Sequence, residues 1–367
     1  MAKIKLAEAC LKIGSGATPC GGKNIYCEDG ISLIRSQNIL DFDFSENGLA
    51  YINDDQAAKL KNVEVMEEDV LLNITGDSVA RVAMMDRKFL PARVNQHVAI
   101  IRAKKEIIEP SYILYYLQYQ KRYLLQLASA GATRKALTKS MIENLELELP
   151  AMEIQGRIVS ILDNIQEKIA TNRRINNNLE QQMTAIYKNR FSYVLQGNSA
   201  TVEQLIIFSN GQKRPSEEGD IPVYGGNGIL SYTNKSNSNN CIVIGRVGAY
   251  CGNVSYSPKE CWVSDNAIKA KSKSSNSQLF AYHLLKHAEL PSRHIGTGQP
   301  LITQGILNAI PCSLPDSTEI DAFNDLCGPL QRKMDDNFAE NVQLSALREI
   351  LLPKLMSGEL DVSNINL

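Results

Sequence analysis

The chain has 367 residues, 44% of them hydrophobic and 22% charged, which excludes disordered, collagen-like and mucin-like proteins and allows two or three domains. Its formal charge is −1, so net charge gives no indication of a nucleic-acid partner. No apolar run approaches the ~18 residues of a membrane span and the start has no secretory signal, so we expect a cytoplasmic protein with no membrane partner and with reduced cysteines.

Residues 1–150 predict a mixed α/β domain. Short apolar runs such as Val70–Ile74 and Val98–Ile101 predict strands, and clusters of Gly, Asn, Ser and Pro between such runs predict turns. Charge is segregated within this domain: residues 41–69 carry nine acidic and two basic side chains, whereas residues 81–105 carry seven basic and one acidic. Segregation of this kind occurs both at solvated surfaces and at phosphate-binding faces, so both interpretations stay open.

Residues 151–195 predict a long helix. Isoleucines recur at spacings of 4, 3, 4 and 4 from Ile154 to Ile169, which is the period of an amphipathic helix. Forty helical residues span about 60 Å, too long for the interior of a small domain. Spacings of 3 and 4 are also those of a coiled-coil seam, so we expect this helix to pack against another long helix.

Residues 196–315 and 316–367 repeat the same order, a mixed domain followed by a long helix and tail. The aligned segments are Ile31–Ile39 with Ile221–Ile229, Asn73–Asp77 with Gly245–Ala249, and Gly131–Phe191 with Gly296–Met356 at a constant offset of 165. Apolar positions coincide although identity is low, which indicates two copies of one fold. We expect the two helices to pair with each other. The predicted seam residues are Ile158, Ile165, Leu179, Leu330, Phe338 and Leu347.

The motifs of common enzyme classes are missing from the sequence. There is no Gly-rich loop ending in Lys-Ser/Thr, no Cys-x-x-Cys, no Gly-x-Ser-x-Gly, and no Asp/Asn-Pro-Pro-aromatic motif of an adenine methyltransferase. His283 and His287 are spaced as neighbours on a helix, but the Glu of a zinc-protease motif is absent between them. We therefore expect a non-catalytic chain with no metal site.

Two ordered sets of motifs resemble the specificity subunit of type I restriction–modification systems. The first is Ser-Ala-Gly-Ala-Thr-Arg-Lys-Ala-Leu-Thr at 129–138, followed by Leu-Glu-Leu-Glu-Leu-Pro at 145–150 and the first long helix. The second is Gly-Thr-Gly-Gln-Pro-Leu-Ile-Thr at 296–303, followed by Leu314-Pro315 and the second long helix. The resemblance covers nearly the whole chain.

The resemblance implies an α+β fold, in which two pseudo-repeated mixed α/β target-recognition domains are separated by two long antiparallel coiled-coil helices. Each domain is expected to read one half of a split, asymmetric double-stranded DNA target. The helices are expected to dock two modification subunits, methyltransferases that use S-adenosylmethionine to methylate adenine N6. Restriction subunits that use ATP and Mg would complete the complex, and this chain itself would hold no cofactor.

Candidate DNA-binding residues follow from the chemistry of base edges, because Arg and Lys suit guanine and Asn and Gln suit adenine in the major groove. In the first domain the candidates are Arg35, Ser36, Gln37, Asn38, Thr75, Asp77, Arg81, Asn95, Gln96, His97, Thr133, Arg134, Lys135 and Lys139. In the second domain they are Tyr224, Asn227, Arg246, Tyr250, Asn253, Asp265, Asn266, Thr297 and Gln299. Asn and Asp also cap turns, so a purely structural role is the alternative for many of them.

Two other functions fit the same sequence. A free-standing, two-headed DNA-binding regulator would bind a specific sequence as the purified chain alone. A coiled-coil scaffold whose domains bind protein or sugar would have no salt-dependent affinity for DNA.

Overall fold

The computed structural model describes residues 2–19, 21, 25–129, 135–296 and 298–363. Contacts divide the chain into two units, of which unit 1 comprises Met1–Ala170 and Asn341–Leu367 and unit 2 comprises Thr171–Glu340. Each unit therefore holds one mixed domain together with part of each long helix.

Unit 1 contains eleven named strands within the described ranges. They are β1 (Ala2–Lys5), β2 (Cys10–Ser15), β3 (Tyr26–Cys27), β4 (Ile31–Ile34), β5 (Ala50–Ile52), β6 (Glu64–Val65), β7 (Val70–Asn73), β8 (Val82–Met84), β9 (Ala92–Val94), β10 (Val98–Ala103) and β11 (Glu146–Leu149). Its helices are α1 (Leu6–Ala9), α2 (Asp54–Lys59), α3 (Pro110–Tyr119), α4 (Lys121–Ser129), α5 (Lys139–Glu143), the first part of α6 (Met152–Phe191) and the last part of α9 (Ser317–Met356).

Two sheets form the body of unit 1, with strand orders β2-β10-β7-β8 and β3-β5-β4-β9-β6. The side chains of β7 are buried on both of its faces. Leu71 belongs to a core shared by the two sheets, whereas Val70 and Leu72 belong to a second core that includes α3. This double burial explains why β7 is a continuous apolar run instead of an alternating one.

Gln155 anchors the start of α6. It is 1% exposed, and its amide oxygen accepts a hydrogen bond from Glu109 N at 3.0 Å. Its amide nitrogen donates to Ile107 O at 3.1 Å and to Pro150 O at 2.9 Å. The buried amide is thereby satisfied, and it ties the helix to the end of the domain that precedes it.

Unit 2 repeats this plan with one larger sheet. Its strands are β12 (Ala200–Thr201), β13 (Ile206–Asn210), β14 (Ile221–Gly225), β15 (Gly228–Thr233), β16 (Ser238–Gly245), β17 (Val254–Val263), β18 (Ala267–Ser272) and β19 (Pro311–Cys312). Its helices are the last part of α6, α7 (Gln278–His287), α8 (Gln304–Asn308) and the first part of α9 (Ser317–Met356). The sheet order is β13-β18-β16-β17-β14-β15, and α7 covers the face that carries Ile242 and Ile244.

An aromatic cluster joins the helices of unit 2 beneath this sheet. Tyr187 and Phe191 of α6 pack with Phe280 and His283 of α7 and with Phe323 of α9. Each of these side chains is at most 2% exposed. The cluster accounts for the apolar residues at the end of the first long helix and the start of the second.

The segments of α6 and α9 pack antiparallel within each unit. In unit 1, Arg348 Nη1 donates to Gln166 Oε1 at 2.6 Å, which joins the start of α6 to the end of α9. In unit 2, Asn337 Nδ2 donates to Asn176 Oδ1 at 2.7 Å, which joins the end of α6 to the start of α9. The expectation of paired antiparallel helices is confirmed.

The seam between the helices differs in part from the predicted one. Ile158 and Ile165 are buried, and Leu179 and Leu330 are half-buried. The remaining two predicted seam residues, Phe338 and Leu347, are 51% and 44% exposed, so their assignment to the seam was wrong. At Phe338 the reason is visible, because the fully buried position is the preceding residue, Asn337.

Candidate nucleic-acid interface

A hydrogen-bonded loop follows β7 in unit 1 and runs from Asn73 to Arg81. Asn73 N donates to Arg81 O, and Ala80 N donates to Asn73 O, both at 2.8 Å, so the two ends of the loop are tied together. Gly76 and Ala80 have φ values of +77° and +65°. This left-handed conformation lets the chain reverse direction within a few residues.

Three other segments of unit 1 bond to this loop. The joining bonds are Ile74 N to His97 O at 3.0 Å, Gly76 N to Lys135 O at 3.1 Å, and Asn73 Nδ2 to Ser36 O at 2.8 Å. Candidate residues from four separate stretches of sequence are thereby brought together in unit 1.

Unit 2 has the same arrangement after β16. Gly245 N donates to Asn253 O, and Gly252 N donates to Gly245 O, both at 2.8 Å. Gly248 and Gly252 have φ values of +79° and +84°. The joining bonds are Arg246 N to Asn266 O at 2.9 Å, Gly248 N to Pro300 O at 3.0 Å, and Ile302 N to Arg246 O at 2.9 Å.

The two loops correspond bond by bond. The equivalent positions are Asn73 and Gly245, Ile74 and Arg246, Gly76 and Gly248, Ala80 and Gly252, Arg81 and Asn253, and His97 and Asn266. This agrees with the alignment of Asn73–Asp77 with Gly245–Ala249 in the sequence. We call each loop, with the segments bonded to it, the loop scaffold of its unit. The two scaffolds have the same pattern of backbone hydrogen bonds but different side chains.

Most candidates of unit 1 are at least partly exposed. These are Arg35, Ser36, Gln37, Thr75, Asp77, Arg81, Gln96, His97, Lys135 and Lys139. Asn38 and Asn95 are buried and hold the backbone, because Asn38 Oδ1 accepts from Arg35 N at 3.0 Å and Asn95 Oδ1 accepts from His97 N at 3.1 Å. Thr133 and Arg134 lie outside the described residues.

Two polar side chains after β4 hold a neighbouring turn. The Arg35 guanidinium donates to Gly48 O and lies over the Tyr26 ring, 5.9 Å from its centroid. Gln37 Nε2 donates to the same carbonyl at 3.0 Å. Both side chains therefore already have partners within unit 1.

Thr75, Gln96 and His97 form one hydrogen-bonded group. Gln96 Nε2 lies 3.1 Å from His97 Nε2, and Thr75 Oγ1 lies 2.7 Å from His97 Nδ1. Because an amide nitrogen can only donate, His97 Nε2 is the acceptor and its Nδ1–H donates to Thr75. The group presents an amide and a hydroxyl together beside the loop.

The candidates of unit 2 are also mainly exposed. Asn227, Tyr250, Asn253, Asp265, Asn266 and Gln299 are exposed, and Arg246 is half-buried. Tyr224 is an exception, since it lies in a small core with Cys241 and Cys261, and this burial raises its pKa to about 12. Thr297 lies outside the described residues.

Most of the segregated acidic and basic side chains of the first domain form ion pairs with each other. The ion pairs are Lys88–Glu46 at 2.6 Å, Arg87–Glu67 at 3.8 Å, Arg93–Glu64 at 3.4 Å, Arg102–Asp69 at 2.7 Å, Lys105–Glu68 and Lys121–Asp41. Lys104 Nζ donates to Glu8 O at 2.8 Å. Of the basic residues in 81–105, only the Arg81 side chain has no partner within the described ranges. The basic run is thus chiefly neutralised by the acidic run.

Two features of the loop scaffolds were not predicted from the sequence. Asn73 lies in the aligned segment but is not among the candidate residues, although its side chain holds the segment after β4. In unit 2, a Cβ on Gly211 would lie 1.9 Å from Ser264 O, which shows how closely the segment after β13 approaches the scaffold. The exposed Lys213 and Arg214 follow in that segment. A glycine closely followed by basic residues after a strand was the available signal.

The described residues include no group of three or more His, Cys, Asp or Glu side chains that could hold a metal ion. The helical pair noted in the sequence is structural: His283 is fully buried, and His287 Nδ1 bonds to His283 O at 2.8 Å. Across the same ranges, no helix has the length and apolar character needed to cross a membrane.

Comparison with known proteins finds one family. A family model for the type I restriction modification DNA specificity domain matches residues 31–181 and 206–328, well over half of the chain. The chain is 23% identical over 199 residues to a protein described as the type I restriction enzyme MjaX specificity subunit of Methanocaldococcus jannaschii, covering 53% of this chain and 44% of that protein. It is 28% identical over 167 residues to the type I restriction enzyme EcoBI specificity subunit of Escherichia coli, covering 43% and 35%. The matches span less than half the length of these relatives.

A solved structure shares the fold over the whole chain. It is that of the type I restriction–modification system S subunit from M. genitalium, with a TM-score of 0.59 and 16% identity. The match covers 99% of this chain and 96% of that one.

Proposed function

Because this chain belongs to the type I restriction–modification DNA specificity family, we propose that each of its units reads one half of a split, asymmetric double-stranded DNA target. The observation that carries the proposal is the loop scaffold, which recurs in both units with the same backbone bonds and different side chains. A constant backbone suits a constant docking geometry on DNA, whereas variable side chains suit two different base sequences.

The exposed side chains of the scaffolds have the chemistry of base recognition. Amide groups such as those of Gln96 and Asn266 can pair with adenine, and guanidinium groups such as those of Arg81 and Arg246 can pair with guanine. Exposed Lys135 suits a phosphate contact that positions the protein without reading sequence.

We also propose that the long helices bind two modification subunits. Its support is a set of exposed apolar side chains on α9, each 44–58% exposed: Leu326, Phe338, Val342, Leu347 and Ile350. Phe338 and Val342, and likewise Leu347 and Ile350, are spaced as neighbours on a helix surface, and exposed apolar side chains that lie together are typical of a protein interface. In this proposal the modification subunits methylate adenine N6 with S-adenosylmethionine and restriction subunits use ATP and Mg. This chain contributes recognition and holds no cofactor.

The test is to sequence methylated adenines in cells that have the modification subunit, with and without this chain. We expect the chain to co-purify with the modification subunit, and we expect its deletion to abolish one split motif. Complementation with a Gln96→Ala/His97→Ala variant is expected to alter one half of the motif only. A change in both halves would contradict the assignment of one unit to each half.

Two results would contradict this proposal and indicate another function. If the methylated motifs do not change and no modification subunit co-purifies, sequence-specific binding by the purified chain would identify a free-standing regulator. If the purified chain also lacks salt-dependent affinity for DNA, it would be a scaffold.

A further inference from the structure

The segment after β4 in unit 1 and the segment after β14 in unit 2 are equivalent. The bonds that show this are Asn95 N to Ile34 O at 3.0 Å and Ser264 N to Tyr224 O at 2.9 Å. Ser36 of unit 1 therefore corresponds to Gly226 of unit 2. In each unit, the backbone carbonyl of this residue accepts a hydrogen bond from an asparagine side chain of the loop.

The asparagine that holds the carbonyl comes from different positions in the two units. In unit 1 it is Asn73, whose Nδ2 donates to Ser36 O at 2.8 Å. The equivalent residue of unit 2 is Gly245, where a Cβ would lie 2.1 Å from Tyr250 O. No side chain fits at this position, so unit 2 must hold its segment with another residue.

Asn253 takes over that role in unit 2, because its Nδ2 donates to Gly226 O at 3.2 Å. Asn253 occupies the position of Arg81 in unit 1. Because Asn73 already holds the segment in unit 1, this contact does not need the side chain of Arg81. It is half-buried, yet the described part of unit 1 offers its guanidinium neither a hydrogen bond nor an ion pair.

Unit 2 has its own arginine at the other end of the loop. Arg246 corresponds to Ile74, which is 7% exposed and belongs to a core of unit 1. The Arg246 backbone is bonded on both sides, to Asn266 and to Ile302, whereas its half-buried guanidinium has no partner among the described residues. Among the described residues, each loop thus carries one arginine whose guanidinium has no partner, and the two arginines lie at opposite ends of the loop.

We propose that Arg81 and Arg246 read a guanine in their respective half-sites, and that Asn253 holds its loop instead of reading a base. This inference rests on the proposed function. A guanidinium can bond to guanine O6 and N7 at once, which is the commonest specific contact in the major groove. A half-buried arginine on a bonded loop also has fewer rotamers to lose on binding than a fully exposed one.

The test uses the complex of the full chain with its modification subunits. Its affinity is measured for duplexes in which each base pair of the methylated motif is changed in turn. For Arg81→Ala we expect discrimination at one G·C pair of the unit 1 half-site to fall roughly 5- to 150-fold, with the other half-site unaffected. Arg246→Ala is expected to do the same in the unit 2 half-site.

A double variant serves as the matched control. Asn73→Gly/Arg81→Asn moves the asparagine that holds the carbonyl to the position it has in unit 2 and removes the arginine. This variant should lose the same guanine discrimination while the complex assembles normally. Asn253→Ala removes the amide that holds the unit 2 loop. It is expected to lower affinity for all sequences of that half-site alike and to lower the urea midpoint followed by Trp262 fluorescence.

The outcomes separate this inference from the proposed function. A uniform loss of affinity for Arg81→Ala and Arg246→Ala across all duplexes, with a salt slope reduced by about 1, would identify phosphate contacts and overturn the guanine assignment. Half-sites without guanine would overturn it as well. If the wild-type complex showed no preference for any split motif, the proposed function itself would fail.

Discussion

His283 is a buried histidine that folding is expected to keep neutral. Its ring stacks on Tyr187 with centroids 5.8 Å apart and meets the Phe323 ring edge-on at 5.6 Å. Neither ring nitrogen has a hydrogen-bond partner among the described residues. Desolvation, followed by the nearby charges of Lys286 and His287, lowers its pKa to about 3. Protonation of this ring therefore opposes the folded state.

The size of this effect follows from linkage between protonation and folding. The unfolded chain binds the proton with a pKa of about 6.5, so the unfolded state gains protons first as the pH falls. Stability is unaffected above that pH and declines below it until the folded pKa, near 3, is reached. Between pH 7 and pH 5 the loss from His283 is about 2 kcal/mol. The pKa of His287 is also lowered, chiefly by burial, so His287 acts in the same direction.

Urea unfolding at pH 7 and pH 5, followed by tryptophan fluorescence, measures this loss. Trp262 is the single tryptophan and lies in β17, so its fluorescence reports on unit 2. His283→Leu is expected to lose about 2 kcal/mol less than wild type between the two pH values. The control is His294→Leu, which removes an exposed histidine and should behave as wild type. Equal losses in His283→Leu and wild type would refute the reasoning from burial.

Two further predictions concern the stability of unit 1. Asp69 is fully buried and accepts two hydrogen bonds of 2.7 Å from Arg102, so Asp69→Asn is expected to cost about 3 kcal/mol in thermal unfolding followed by circular dichroism. Glu46→Gln, which breaks the exposed pair with Lys88, should cost less than about 1 kcal/mol, and equal costs would contradict the role of burial. Gly156 lies inside α6 with open space where a Cβ would stand, so Gly156→Ala should stabilise the chain by about 0.5–1 kcal/mol. A lower melting temperature for Gly156→Ala would show that this part of α6 needs the glycine.

The repeat and the long helices could be predicted because they depend on local pattern. Isoleucine spacing predicts the buried side of the first half of α6, where Ile158, Ile165 and Ile169 are buried. The alignment of Asn73–Asp77 with Gly245–Ala249 matches the loop scaffold bond by bond. Where a polar residue occupies a core position, the same reasoning fails. Asn337 is fully buried in the helix pairing, so the pattern of apolar residues pointed to Phe338 instead.

The candidate site could be predicted only as a set of loops. Asn38 and Gln96 have similar side chains and similar loop contexts in the sequence, but one is buried and holds a turn while the other is exposed. Long-range pairing is equally hidden, since nothing local shows that Lys88 faces Glu46 or that Arg102 faces Asp69. Which arginine keeps its donors free depends on such partners.

Unit 2 is continuous in the sequence, whereas unit 1 is assembled from residues on both sides of it. During synthesis, residues 171–340 can complete their core as soon as they have left the ribosome, because domains fold as units while the chain emerges. Ile158 and Leu162 of α6 belong to the same core as Leu352 and Leu355, which emerge only after the whole of unit 2. The core to which these residues belong can therefore be completed only after unit 2 has been translated. Unit 1 is therefore begun first and completed last.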